Sequence, residues 1–114
     1  MRRTPSRKLK ATPNDAVRVA QIASELLELL LELEGCSGAQ RRSVYSRCPS
    51  LLTEVKRLIL PPFPVKEALA LAHAADWHLA SFAGVTSAKT SPDAEHAAWA
   101  RESLQDLERC ATAR

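Results

Sequence analysis

The residues of this 114-residue chain whose types could do chemistry are three histidines and the carboxylates near them: His73, His78 and His96, with Asp76 and Asp93. Di-metal helical bundles hold their ions with Glu-x-x-His pairs on two helices and further inward glutamates. The chain has no Glu-x-x-His; His73-x-x-Asp76 and Asp93-x-x-His96 are the nearest spacings, and on a helix His78 points well away from His73. Neither a metal nor a cofactor is expected. Asp76 and His96 nevertheless fall inside the apolar arcs of their segments, where an ionisable group needs a partner. If the two segments run antiparallel about residue 88, Asp76 comes within about one turn of His96. The pair then reads as an acid/base couple or, preferably, a buried structural hydrogen bond, with His73 competing for Asp76.

Nucleophilic chemistry has little to draw on. There is no Gly-x-Ser-x-Gly elbow or glycine-rich phosphate loop, and the chain has only three glycines. Cys36 follows the end of a helical pattern, where a thiolate gains nothing from the helix dipole. Cys36, Cys48 and Cys110 are odd in number and form no Cys-x-x-Cys, so neither a disulfide framework nor a zinc knuckle is indicated. The reading is a non-enzymatic protein with reduced thiols and no small-molecule substrate, placed inside the cell, in the cytoplasm first and the mitochondrion second.

The elements that would position these residues are helical. With five Phe, Trp and Tyr in all, the core must be built from Leu, Ala, Val and Ile, and β-branched alternation is missing. Residues 17–33 organise the rest. Arg18, Gln21, Glu25, Glu28 and Glu32 form one polar stripe. Val19, Ala20, Ile22, Ala23, Leu26, Leu27, Leu29, Leu30, Leu31 and Leu33 spread over roughly 200°, against about 100° for a surface helix. Such a helix needs contacts on two sides. Its acids interrupt the apolar run, so no membrane span is expected.

Around it the spacing predicts an all-α, antiparallel bundle of four main helices in a single domain, residues 14–114. Asn14 or Asp15 caps the first helix, and Gly35 ends it as a left-handed residue would. The second begins at Gly38 and is broken near Pro49, leaving a short basic piece over 39–47 and an amphipathic one over 50–60. Pro61, Pro62 and Pro64 make a stiff extended connection, with Pro64 suited to the first position of the third helix. That helix runs to Ala83 and turns Val65, Ala68, Leu69, Leu71, Ala72, Ala75, Leu79 and Phe82 inward. Ser91-Pro92-Asp93 starts the fourth, whose inner face is Ala97, Ala100, Leu104, Leu107 and Ala111.

Charge is segregated. The net charge is +3, and Arg2, Arg3, Arg7, Lys8 and Lys10 put +5 into the first thirteen residues, so the remainder carries −2. Residues 1–13 read as a flexible basic arm. Such a start resembles a mitochondrial presequence, but Pro5 and the scarcity of apolar residues favour an uncleaved arm.

Two functional readings follow. In the first, the chain is a helical interaction module, a small subunit or adaptor that docks into a larger assembly or self-associates. Its contacts would be Leu27 and Leu31 on the first helix, with Trp77 and His73 on the third, because Trp77 lies outside that helix's apolar arc. In the alternative, Arg2, Arg3, Arg7, Lys8, Lys10, Arg41, Arg42 and Arg47 contact nucleic-acid phosphates. The run Arg42-Ser43-Val44-Tyr45-Ser46-Arg47-Cys48-Pro49-Ser50 resembles the end of the recognition helix in TetR-type repressors, which would put its arginines at DNA. It departs from that pattern at Cys48, where an aromatic is usual, and at Leu51, where lysine is usual. The first and fourth helices, at about −4 and −3, would repel a polyanion, so the first reading is preferred.

Overall fold

A computed structural model describes residues 10–84 and 93–113. The protein is all-α: α1 (Pro13–Glu34), α2 (Ala39–Tyr45), α3 (Pro49–Leu58), α4 (Val65–Ala83) and α5 (Asp93–Thr112). The two short helices α2 and α3 are the halves of the expected second helix. The break falls where Pro49 becomes the first residue of α3.

The helices form a bundle with α1 and α4 at opposite corners. α5 packs along both of them, while α2 and α3 close the other side. This arrangement answers the width of α1's apolar arc. Val19, Ile22, Leu26, Leu30 and Leu33 are sealed from solvent, meeting Leu52 and Val55 of α3 and Leu104 and Leu107 of α5 in one core. Ala68, Ala72 and Ala75 of α4 and Ala97 and Ala100 of α5 are buried in the same core. Small side chains at a helix contact let the axes approach, which suits the extensive α4–α5 packing.

The helix ends differ from expectation at three places. The N-cap of α1 is Thr12, two to three residues earlier than expected. Thr12 Oγ1 accepts from the Asp15 amide at 3.1 Å, and the Thr12 amide donates to Asp15 Oδ2 at 2.9 Å. Asp15 thus closes a capping box with Pro13 already inside the first turn, where its fixed φ and missing amide hydrogen cost nothing. Ala11 also donates its amide to the Pro61 carbonyl at 2.7 Å. Residues 11–13 of the expected arm therefore belong to the fold, and residues 1–9 lie outside the described residues.

Gly35 ends α1 in a right-handed conformation, φ −86°, rather than the left-handed one expected. The left-handed cap is Gly84 at the end of α4, φ 77°, a conformation that favours glycine. The proline-rich connection is a turn rather than an extended rod: the Pro61–Pro62 peptide is cis, and the Phe63 amide donates to the Leu60 carbonyl at 3.0 Å. The turn puts Phe63 into the core beside Ile59, and Pro64 is the N-cap of α4 rather than its first helical residue. The expected loop over 85–90 and the start signal at Ser91 and Pro92 lie outside the described residues. Among the described residues no helix is long and apolar enough to cross a membrane.

Candidate protein-interaction surfaces

The first surface is built on α1. Val17, Ala20, Ser24, Leu27 and Leu31 follow one another in steps of three and four, so they share one face of the helix. This face is turned away from the sealed core face. Val17 is 55% and Leu31 63% exposed, while Ala20, Ser24 and Leu27 are half-buried. At its N-terminal end the face opens into a groove of about 910 Å³, lined by Ala16, Val17, Ala20, Pro62, Phe63 and Ala111 among others. α1's polar stripe runs along one edge.

The second surface is on α4. Trp77 is 47% exposed and His73 is exposed, one turn before it on the same face. The inward face of α4 is filled without them, by Ala68, Ala72, Ala75, Leu79 and Phe82. The four residues expected to face a partner thus divide between two helices. Leu31, Trp77 and His73 are exposed, and Leu27 is half-buried against the core. Sequence reasoning missed Val17, the other end of the α1 face. Its three-and-four spacing from Leu31 is the signal for it, and the apolar arc read from the sequence begins only at Val19.

The histidines and Asp76 have other partners than expected. Asp76 receives Lys56 Nζ at 2.8 Å and the Tyr45 hydroxyl at 3.5 Å, so it joins α4 to α3 and α2. The tyrosine is pushed up to about 12, by burial first and then by the neighbouring carboxylate. His96 does not reach Asp76. It lies 3% exposed between α5 and α4, with its Nδ1 3.1 Å from that of His78, one ring donating to the other. Trp99, 38% exposed, covers this pair with its ring centroid 5.0 Å from that of His78. Lys56 on the neighbouring helix gives the Asp76 carboxylate a charge-assisted hydrogen bond instead.

Among the described residues no group of three or more His, Cys, Asp and Glu is placed to hold a metal ion. Cys48 is buried and its thiol is pushed up to about 11 by that burial, so it stays protonated and unreactive at neutral pH.

The arginines of the nucleic-acid reading are unevenly placed. Arg41 is part of the fold. Its Nε donates to the Leu33 and Cys36 carbonyls, both at 3.2 Å, its Nη1 donates to the Phe82 carbonyl at 3.4 Å, and its guanidinium lies 4.0 Å from the Phe82 ring centroid. Arg47 pairs with Glu32 at 3.1 Å on the surface. Arg42 and Lys10 are exposed, and Arg2, Arg3, Arg7 and Lys8 lie outside the described residues. Comparison with protein-family models, with curated proteins and with solved structures finds no match.

Proposed function

We propose that this protein is a non-enzymatic helical interaction module, a small subunit or adaptor, that docks another protein surface through the outer face of α1. The observation that carries this reading is the pair Val17 and Leu31. Two large aliphatic side chains, each more than half exposed, stand at the ends of a single helix face whose intervening positions are small or apolar. Scattered exposed apolar residues are ordinary, but these two are joined by half-buried Ala20, Ser24 and Leu27 and by the groove against Phe63 into one face, which supports a contact surface. Trp77 supplies a second anchor of the residue type that concentrates binding energy at interfaces.

The nucleic-acid reading has weaker support. Arg41 spends its hydrogen bonds on helix-end carbonyls, Arg47 is paired with Glu32, and α1 presents Glu25 and Glu28 to solvent. The test is size-exclusion chromatography with light scattering and pull-down from the native source, comparing the unaltered chain with Leu31→Asp. Loss of a specific partner, or of a dimer, without loss of helicity supports the reading. A chain that is monomeric and recovers the same proteins with and without the substitution overturns it.

A further inference from the structure

The outer face of α1 has a chemical polarity that narrows its occupant. We infer that it receives an amphipathic helix of another protein, one whose apolar three-and-four stripe is flanked by lysine or arginine, rather than a second copy of this chain. The inference rests on the interaction-module reading.

Val17, Ala20, Ser24, Leu27 and Leu31 have the spacing of a coiled-coil seam, in which each apolar residue enters a hole on a facing helix. From Val17 to Leu31 the seam runs about 21 Å, the length of a four-turn partner helix. Ala20 and Ser24 near its middle allow the partner axis to come close, and the groove against Phe63 and Ala111 receives one end.

The edges of a seam select partners by charge. On one edge stand Gln21, Glu25, Glu28 and Glu32. One nearby cation is committed elsewhere and one neutralises a member of the stripe. Arg18 makes a two-point pair with Glu54, at 2.8 and 2.9 Å, and reaches Glu25 only at 3.8 Å; Arg47 holds Glu32 at 3.1 Å. Glu28 has no ion pair among the described residues. On the other edge Arg101 is paired with Glu34, and Glu108 lines the groove. Among the described residues the edges of the seam therefore carry carboxylates in excess, with Glu28 and Glu108 outside any ion pair.

This polarity disfavours self-pairing. Among the described residues, self-pairing offers these carboxylates no free cation: in an antiparallel two-fold pairing about Ser24, Glu25 of one copy approaches Glu25 of the other and Glu28 faces Gln21, while the neighbouring Arg18 is committed to Glu54. Like charges held against an apolar contact oppose association, whereas a lysine- or arginine-flanked helix meets the same carboxylates with attraction.

The test uses two labelled synthetic helical peptides with the same leucine stripe, one flanked by lysine and arginine, the other by glutamate. Each is titrated into the full chain by fluorescence anisotropy, with light scattering to report self-association. The basic peptide is expected to bind at least tenfold more tightly than the acidic one. Glu25→Lys with Glu28→Lys should reverse that order, and Val17→Asp with Leu31→Asp should remove binding of both, with circular dichroism confirming the fold of each variant. If Leu31→Asp removes binding but the peptides bind equally, or the charge reversal changes nothing, the charge selection is overturned while the module reading stands. A dimer dissolved by Leu31→Asp makes a second copy the occupant and overturns the inference. Absence of any binding by either peptide to a monomeric chain overturns the inference, while the parent reading falls only if the pull-down is also unchanged by Leu31→Asp.

Discussion

His78 and His96 meet Nδ1 to Nδ1 at 3.1 Å across the α4–α5 contact, so the two rings share one hydrogen between them. That arrangement requires at least one of them to be neutral. Two imidazolium rings at this distance would repel.

Burial first, and the charge of His96 second, hold His78 below its ordinary value of 6.5. A base depressed on folding binds its proton more readily in the unfolded chain, so its contribution to stability is complete above that value and is lost as the pH falls below it. Thermal melts of the wild type should therefore drop between about pH 7.5 and about pH 5 by more than those of His78→Gln, which keeps a hydrogen-bonding group but does not titrate there. Parallel pH profiles for the two chains would remove the pair as a source of acid sensitivity.

Leu30 is sealed in the core, whereas Glu28 lies on the exposed stripe two residues away. Leu30→Ala should cost about 2–5 kcal/mol through lost burial and the cavity left behind. Glu28→Ala should change stability by no more than about 0.5 kcal/mol. Urea unfolding of the two variants checks the contrast, and similar losses would contradict the placement of α1.

Thr12 accepts one amide of the first turn and donates its own to Asp15. Thr12→Ala should cost about 1 kcal/mol, since the capping hydroxyl is lost and Asp15 cannot replace it. Thr12→Ser should restore most of the loss, a rescue that a general packing defect would not show.

Trp77→Ala should leave the melting temperature of the isolated chain nearly unchanged, because the inward face of α4 is complete without it. A fully buried tryptophan would lose about 3–5 kcal/mol on truncation. Binding of a partner that uses this face should weaken by about 2 kcal/mol or more. Destabilisation of the isolated chain with partner binding intact would assign Trp77 to the fold.

The helical periods were legible because each core position repeats an apolar residue at the proper interval. All five inner residues expected for α5, from Ala97 to Ala111, are buried. The partners of isolated polar groups were not legible. Asp76 faces Lys56 and Tyr45 through a packing of α3 and α2 on α4 that no local spacing encodes, and Arg41 reaches Phe82 across forty-one residues. The sequence offers Asn14 and Asp15 as caps with Pro13 closing the arm, whereas Thr12 is the cap and Pro13 stands in the first turn of α1. The α1 surface was half legible: Leu27 and Leu31 stand out on the wide arc, but which part of that arc stays uncovered depends on where α5 and α3 sit.

The diagonal placement of α1 and α4 has a consequence for stoichiometry. The two helices scarcely touch, being separated by α5 on one side and by α2 and α3 on the other. Leu31 and Trp77 therefore stand on helices that do not pack against one another. Ligands for both helices would saturate at two equivalents per chain, and two epitopes joined by a tether long enough to pass around α5 would gain through effective concentration rather than through any new contact.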